Sequence, residues 1–376
     1  LFDSQDPNVV SMAIKTVSTL VSEYPQEYFD KFLAFMSKSI DLKHSFTALS
    51  IILSSIEPND EQAEILEFIL TTQGASTGNI GDASIYEDAS KCLAELAKSE
   101  GSLCRMTEVL EDLADEKGVL LATLGGVVKY ALSSHHGCPE DEWRKYMELS
   151  VTKFIWSGDL ALKLIGISNL NVILNKNPVI AIPLINKLID GIVETEVKPN
   201  KDYIHTQQIG PYKHKIDDGL AYRKQVFDVI YYLLKALQEN KRLEFLCNIK
   251  WENHFNRFFD YGIKDDQTIA SVCLLATLKL FEQDPYFFGK NADGVDIFEA
   301  FISRCRKALN KKLADNSVKQ DIEQQNNLIK MTVRFSIKVN AMIEGKALIL
   351  NGSQSSEWNM FINSTNSKFS SYKSED

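Results

Sequence analysis

Apolar residues recur at helical spacing along almost the whole chain. In the first segment they fall three or four residues apart, which is the period of an amphipathic helix. Similar segments follow up to residue 194, and the pattern resumes after residue 219. Proline, glycine and short polar clusters separate the segments. The pattern predicts an all-α fold. The apolar positions of the first segment are Val10, Ala13, Ile14, Val17, Leu20 and Val21.

Three of these predicted helices end in the same way. NVVSMAIKTVSTLVSEYP, LALKLIGISNLNVILNKNP and TIASVCLLATLKLFEQDP all close on polar-x-Pro, and a second amphipathic helix follows each. Their prolines, Pro25, Pro178 and Pro285, are 153 and 107 residues apart. These separations are close to four and three units of the ~40-residue HEAT period. Because a helix pair cannot bury its apolar face alone, such pairs stack. We therefore predict an all-α HEAT-repeat superhelical solenoid, with the apolar stripes as inter-repeat core rather than a cofactor-binding surface.

Residues 195–219 (TEVKPNKDYIHTQQIGPYKHKIDDG) depart from the helical pattern. Two extended pieces flank Gly210-Pro211, which predicts a β-hairpin inserted in the solenoid. In the first piece Tyr203, His205, Gln207 and Ile209 would share one face. We expect Asp217-Asp218-Gly219 to end the hairpin and cap the next helix. A lone hairpin is marginally stable in water, so this one needs a neighbour or a partner.

Two polar stretches interrupt the repeats. TQGASTGNIGDAS is nearly free of apolar residues and predicts a flexible loop. Beyond Gly345 the chain is rich in serine, and we expect disorder there apart from a small docked turn near Trp358. The predicted organisation is HEAT-type repeats over 1–71, a flexible loop over 72–84, HEAT-type repeats over 85–194, a protruding hairpin over 195–219, C-terminal HEAT-type repeats over 220–346 and a polar, partly disordered tail over 347–376.

Charge and cysteine usage narrow the class of partner. The formal net charge of −10 disfavours nucleic acid or an anionic membrane as the main partner. A basic or mixed protein surface fits better. The six cysteines form no CxxC pair, and Cys273 and Cys305 lie in apolar helical runs as expected of free buried thiols. Free cysteines are typical of reducing compartments, and the sequence shows no signal peptide and no membrane-spanning run. We therefore expect the protein in the cytoplasm and nucleus.

No combination of residues predicts catalysis, a cofactor or a metal. SSHHGC holds His135, His136 and Cys138 but lacks the further ligands of a structural zinc, so a surface turn is favoured. Gly125-Gly126 lacks phosphate-loop spacing and indicates close helix packing. The Asp217-Asp218 pair fits capping better than acid–base chemistry. We expect a protein that is not an enzyme.

Basic residues and tyrosines gather in the predicted hairpin of this acidic chain. They are Lys198, Lys201, Tyr203, His205, Tyr212, Lys213, His214 and Lys215. The residues alone leave two interpretations equally open. In one, the lysines keep a solvated edge strand from aggregating. In the other, the hairpin docks on a partner through aromatic anchors and a charged rim.

The run GPYKHKIDDGLAYRK (Gly210–Lys224) resembles the hairpin–helix signature of the cullin-associated and neddylation-dissociated (Cand) family of HEAT-repeat proteins. Tyr212 stands where that family usually has Phe. NSVKQDIEQQNNLIK (Asn316–Lys330) resembles the family's last long helix, and Leu160–Val193 is also similar. The resemblance spans about Gly158–Lys338 and places the chain in the family's C-terminal region.

The resemblance implies a non-catalytic regulator of cullin–RING ubiquitin ligases. Family members bind the cullin scaffold without its ubiquitin-like modifier. Their hairpin and C-terminal repeats occupy the cullin N-terminal region where substrate adaptors dock, so they act in substrate-receptor exchange. For this chain the resemblance assigns docking to Tyr203–Ile216. The predicted contact residues are Tyr203, His205, Ile209, Gly210, Pro211, Tyr212, Lys213, His214 and Lys215, with Ile209, Pro211, Tyr212 and His214 at the tip.

Family members are much longer than this chain, which lacks their N-terminal repeats. We expect either a fragment or a partner polypeptide that supplies a separate N-terminal half. A different HEAT-repeat scaffold, of the nuclear-transport receptor or phosphatase scaffold kind, is the alternative, and its binding would not need the hairpin. An enzyme would require a deep pocket with convergent polar groups.

Overall fold

The computed structural model describes residues 1–2, 4–38, 43–73, 83–113, 118–131, 140–209, 212–292, 295–311 and 319–372. Helices dominate this part of the chain, which confirms the predicted all-α class. The chain divides into two compact units, Leu1–Lys176 and Asn177–Asp376. Of the predicted loop at 72–84, residues 74–82 lie outside the described part, as do His135, His136 and Cys138.

The first unit is built from two rows of helices. Successive odd-numbered helices pack on one another from α1 to α9, and the even-numbered helices α2, α4, α6 and α8 pack in a second row. This is the layered stacking of HEAT-type repeats, as the sequence predicts. The helices are α1 (Pro7–Glu23), α2 (Pro25–Met36), α3 (Lys43–Leu53), α4 (Asp60–Phe68), α5 (Ala83–Leu96), α6 (Glu100–Asp112), α7 (Gly118–Ala131), α8 (Glu140–Ile155) and α9 (Leu160–Lys176).

Local sequence signals set the helix ends. Asp6 caps α1 by accepting a hydrogen bond from the Asn8 N–H, with Pro7 at the first helical position. The cap of α4 is Asn59. Asn59 forms a capping box with Gln62, at 2.9 Å and 3.1 Å, and this reciprocal pair satisfies two backbone donors.

Gly125 and Gly126 bring α7 close to its neighbours, which confirms the packing interpretation. A Cβ on Gly125 would overlap the Phe154 ring of α8 and lie 2.9 Å from Ile165 of α9. A Cβ on Gly126 would overlap Ser90 of α5. Because α7 and α9 lie so close, buried Asn169 of α9 can donate a 2.8 Å hydrogen bond to the Gly125 carbonyl.

The second unit repeats the two-row plan and carries the strands. Helices α11, α13 and α15 pack in one row, and α12, α14 and α16 in the other. Its helices are α10 (Pro178–Gly191), α11 (Leu220–Glu239), α12 (Trp251–Gly262), α13 (Gln267–Gln283), α14 (Ile297–Leu309), α15 (Lys319–Glu344) and α16 (Gly352–Lys368). Its strands are β1 (Ile204–Ile209) paired with β2 (Tyr212–Asp217), and a two-residue ladder of β3 (Asn291–Ala292) with β4 (Val295–Asp296).

A cluster of aromatic rings forms the core of the second unit. Phe255 and Phe259 of α12 stack with centroids 5.2 Å apart, and Phe301 of α14 lies 5.2 Å from Phe259. Phe335 of α15 and Trp358 of α16 join the same cluster at 6.0 Å and 6.4 Å from Phe301. Buried rings remove large apolar areas from water, so this cluster holds the two rows together. Cys273 and Cys305 are also buried and free, as predicted.

The predicted disorder of the tail is wrong for Gly352–Tyr372. This segment forms α16 and a final 3-10 turn. Trp358 is 1% exposed, and its indole N–H donates a 3.0 Å hydrogen bond to Asn340 of α15. Asn351 and Gln354 form a capping box, and Gln354 also donates to the Phe288 carbonyl. The buried Trp358 ring and the hydrogen-bonded start of α16 therefore stabilise a helix in spite of the polar composition of this segment.

We predict that Gly125→Ala lowers the free energy of unfolding by about 1–3 kcal/mol, because the added methyl group overlaps Phe154 in a packed core. Denaturant unfolding of the full chain measures this. Gly101→Ala is the matched control, since Gly101 is an exposed helical position whose new Cβ would lie 3.4 Å from the end of Arg105. It should be neutral or slightly stabilising, because alanine favours helix by up to ~1 kcal/mol. Equal effects at the two positions would contradict the packing argument.

Candidate functional site

Strands β1 and β2 form the predicted antiparallel hairpin. The register pairs Ile204 with Asp217 at the base and Ile209 with Tyr212 at the far end. Two residues, Gly210 and Pro211, connect the strands and lie outside the described part. The hairpin is therefore six residue pairs long with a two-residue connection.

The described side chains of the hairpin divide into an exposed part and a half-buried base. His205 to Gln208 on β1 and Lys215 on β2 are exposed. Ile204, Ile216 and Tyr203 are half-buried. The two strands thus offer polar and cationic side chains to solvent, while apolar side chains secure their base.

Arg223 connects this base to the helical repeats. It lies in the first turn of α11, and its side chain is 3% exposed. Its guanidinium binds both oxygens of Asp217 at 3.2 Å and 2.9 Å. It also binds both oxygens of Asp265, which precedes α13, at 2.8 Å and 2.9 Å. Two forked pairs use the planar donor geometry that only arginine has.

The electrostatics of this triad favour the charged state. Burial opposes the charge on Arg223, but the Asp265 and Asp217 carboxylates outweigh it and raise the pKa of Arg223. Arg223 therefore keeps its positive charge throughout the physiological pH range. Removing one member would leave a buried charge without compensation, which is the costly case for buried ion pairs.

The expected capping role of the Asp217-Asp218 pair is wrong. The cap of α11 is Gly219, and no side chain accepts a hydrogen bond there. Asp217 instead accepts a 3.1 Å hydrogen bond from the Gly219 N–H and pairs with Arg223. The Asp218 N–H donates to the Tyr203 carbonyl at 3.0 Å, and its carboxylate lies 3.3 Å from Nδ1 of His205. Both aspartates therefore hold the hairpin base, Asp217 through the buried guanidinium and Asp218 through Tyr203 and His205.

Tyr203 and Gly219 make the closest packing at the base. A Cβ on Gly219 would lie 3.0 Å from Cδ2 of Tyr203. Next to them, Tyr222 of α11 is 3% exposed, and burial together with the Glu196 carboxylate raises the pKa of its hydroxyl. The structure therefore places Tyr203 in the support of the hairpin, whereas the sequence grouped it with the contact residues.

The structure describes the side chains of only some of the predicted contact residues. His205 and Lys215 are exposed on the strands. Ile209 and the run Tyr212–His214 take their places in the register, but their side chains lie outside the described part. Gly210 and Pro211 lie outside it altogether. These six positions stay a prediction as contacts.

Sequence reasoning missed the clamp formed by Arg223, Asp217 and Asp265. Asp217 and Arg223 stand six residues apart in the quoted motif, which is a local signal. Asp265 lies 42 residues beyond Arg223, and nothing in the sequence pairs them.

Neither a cluster of metal-ligating side chains nor a membrane-spanning helix occurs among the described residues. They include no group of three His, Cys, Asp or Glu side chains placed to hold a metal ion. None of the described helices is long and apolar enough to cross a membrane. A recess of about 570 Å³ in the second unit is lined by cations such as Lys264 and Arg306, and no carboxylate or imidazole belongs to its described lining.

Comparison with known proteins gives a consistent set of relatives. The family model TIP120, described as TATA-binding protein interacting (TIP20), matches residues 180–366. The chain is 26% identical over 215 residues to the cullin-associated NEDD8-dissociated protein 1, C-terminal part, of Emericella nidulans, covering 57% of the chain and 19% of the relative. It is 30% identical over 155 residues to cullin-associated NEDD8-dissociated protein 2 of Mus musculus, covering 40% and 11%.

A longer match extends into the first unit. The chain is 23% identical over 337 residues to cullin-associated NEDD8-dissociated protein 1 of Schizosaccharomyces pombe, covering 88% of the chain and 25% of the relative. The chain thus spans a quarter or less of the length of these three relatives.

We predict that Arg223→Gln lowers the free energy of unfolding by about 3–5 kcal/mol, because Asp265 and Asp217 lose their shared cation. Denaturant unfolding measures the loss, and hydrogen exchange of the β1 and β2 amides shows whether the hairpin base loosens. Arg223→Lys should retain only part of the free energy of unfolding that Arg223→Gln loses, since one ammonium group cannot form two forked pairs.

Lys224→Gln is the matched control for Arg223→Gln. The Lys224 side chain is 44% exposed and pairs with Asp228 along the same helix at 3.0 Å. Its loss should change the free energy of unfolding by less than about 1 kcal/mol. Similar losses for the two substitutions would contradict the clamp.

Proposed function

Because this chain belongs to the cullin-associated NEDD8-dissociated family and matches its C-terminal part, we propose that it is a non-catalytic protein that binds a cullin scaffold. The curated relatives are named for association with cullins, and the family match covers the whole of β1 and β2. The bound form we propose is the cullin without its ubiquitin-like modifier. The protein acts by occupying a surface of the cullin.

The clamped, exposed hairpin is the observation that carries this proposal. Its strands present His205–Gln208 and Lys215 to solvent, while Arg223 fixes its base between two carboxylates. A hairpin that is already ordered gives up little conformational entropy when it binds. The predicted tip residues Ile209, Pro211, Tyr212 and His214 are the proposed contacts, and Lys213 and Lys215 the proposed cationic rim.

Competition is the mechanism we propose for substrate-receptor exchange. The hairpin and the C-terminal repeats bind the N-terminal region of the cullin, where a substrate adaptor also binds. If the two partners overlap only in part, a ternary complex forms in which each weakens the affinity of the other by the same factor. Release of the adaptor then speeds up because the ternary complex dissociates faster than the binary one.

Two further proposals accompany this function. The protein acts in the cytoplasm and nucleus, where cysteines such as Cys92 and Cys305 stay as free thiols. The contacts to the rest of the cullin come from an N-terminal part of the same family, carried either on the same polypeptide or on a separate one. Failure of any separate half to co-purify with this chain would contradict the separate polypeptide.

We predict that shortening the hairpin abolishes most binding to a cullin N-terminal domain. The variant replaces residues 207–214 by Asn-Gly, so that Thr206 and Lys215, which are register partners, flank a two-residue turn. It keeps Asp217 and the Arg223 clamp. We expect affinity to fall by a factor of about 30 or more, as when hot-spot residues are removed. Isothermal titration calorimetry with the isolated cullin domain measures this.

Adaptor protein added to the complex should displace the parent chain from the cullin domain. A matched control is Lys15→Glu, an exposed position on α1 of the first unit that should leave binding unchanged. Cullin binding that survives hairpin shortening would favour another kind of HEAT scaffold. No binding to any cullin, even with an N-terminal half present, would overturn the proposed function.

A further inference from the structure

A recess among three helices of the second unit has an apolar floor. It is bounded by the end of α12, the last two turns of α14 and the first half of α15. Ile263, Ala308 and Leu328 form the floor and are 0%, 6% and 7% exposed. The volume of the recess is about 570 Å³, which lies within the ~300–1,000 Å³ of small-molecule sites. Its size and its floor therefore suit the apolar part of a small ligand.

The described lining of this recess carries four cations and no carboxylate. Two of them, Lys264 and Arg306, already pair with carboxylates outside the lining. The other two, Lys307 and Lys311, are exposed and form no ion pair with a carboxylate of the described residues. Two ammonium groups at one recess repel each other, and an anion bound between them replaces this repulsion by attraction. The recess therefore favours a ligand that carries negative charge.

Ser303 adds a hydrogen-bonding group to the wall of the recess. Its side chain is half-buried on α14, and its hydroxyl has no hydrogen-bond partner within the described part of the chain. By contrast, the helix hydroxyls of Thr277 and Thr332 donate to the carbonyl four residues earlier, at 2.9 Å and 2.8 Å. The Ser303 hydroxyl is thus left to donate a hydrogen bond to a bound ligand or to accept one.

We propose that this recess binds a small amphiphilic anion, a ligand with one carboxylate, phosphate or sulfonate group on an apolar body. The apolar body covers Ile263, Ala308 and Leu328, and this contact removes apolar surface from water. The anionic group lies between the ammonium groups of Lys307 and Lys311. The site goes beyond the proposed function, because it uses neither strand of the hairpin.

The test uses the full chain and the dye anilinonaphthalene sulfonate. This dye carries a sulfonate on an apolar aromatic body, and its fluorescence reports apolar surroundings. We expect one bound dye per chain, and weaker binding as salt rises because salt screens the ammonium groups. Phenylnaphthylamine has the same rings without the sulfonate. Its affinity should be lower by about tenfold or more, because it gains nothing from the two lysines.

Ser303 variants show whether the dye occupies the recess. Ser303→Phe places a ring in the recess without changing a charge, and should weaken dye binding about tenfold or more. Ser303→Ala is the matched control. It removes only one hydrogen bond, so it should weaken binding by no more than about threefold. Circular dichroism of each variant checks that the fold is kept.

Lysine variants show whether the recess selects the charge. Replacing both Lys307 and Lys311 by Gln should weaken dye binding about tenfold or more. Lys241 and Lys250 are exposed lysines of the same unit that do not line the recess. Replacing both of them by Gln makes the same change of net charge and should leave dye binding unchanged.

Competition distinguishes the sources of such an anion. Octanoate represents an alkyl carboxylate of lipid origin, and naphthyl phosphate represents an aromatic phosphate. We expect one or both to displace the dye, and the better competitor identifies the source. Inorganic phosphate has no apolar body, so it should compete only at a concentration that is higher by about tenfold or more.

Several outcomes would overturn the proposal. Equal affinity for the two dyes would show that the recess does not select the anionic group. Equal weakening by the two pairs of lysine substitutions would show a general charge effect. Several bound dyes per chain, with no change in Ser303→Phe, would place the dye on other apolar surfaces. A hexaglutamate peptide that competes better than octanoate and naphthyl phosphate would make an acidic protein segment the ligand instead.

The hairpin-shortened variant separates this proposal from the cullin-binding one. It should bind the dye as the parent chain does, whether or not it binds a cullin. Loss of dye binding on hairpin shortening would overturn the independent recess. Loss of cullin binding alone leaves the recess proposal intact, and absence of cullin binding in the parent chain contradicts only the proposed function.

Discussion

The position of the hairpin depends on one buried guanidinium. Arg223 is enclosed by Asp217 from β2 and Asp265 from the start of α13, with four hydrogen bonds between 2.8 Å and 3.2 Å. Two carboxylates around one cation leave the cluster with a net negative charge, so its stability rests on geometry and on the remaining hydrogen bonds. A two-stranded hairpin has little stability of its own. By joining a strand, a helix start and the loop before another helix, the clamp gives this one a fixed base from which its strands project.

The aromatic core supports the helices around the clamp. Helix α15 contributes Phe335 to this core. The same core holds α12 and α13, and α13 begins directly after the Asp265 side of the clamp. Since closely packed cores resist deformation, the backbone of these helices keeps a fixed position, and so does the base of the hairpin.

Most of the secondary structure could be predicted because it depends on local patterns. The helices follow the period of the apolar residues, and the hairpin follows the alternation on either side of Gly210-Pro211. Errors arose where a tertiary contact replaced a local one. Asp217 pairs with the buried Arg223 guanidinium instead of capping, and a full helix, α16, forms around the docked Trp358 where serine-rich composition predicted disorder. Tyr203 supports the hairpin base because Gly219 leaves room for its ring.

The sequence by itself determined the all-α repeat class, the position of the hairpin and the resemblance to a family, because each rests on periodicity or on a contiguous motif. Only the tertiary structure decided which residues hold the hairpin and which form the aromatic core. Asp265 reaches Arg223 from 42 residues away, and Trp358 of α16 packs against Phe301 of α14. Contacts of that kind depend on how helices stack, and a linear pattern of polar and apolar residues does not specify which side chains then meet.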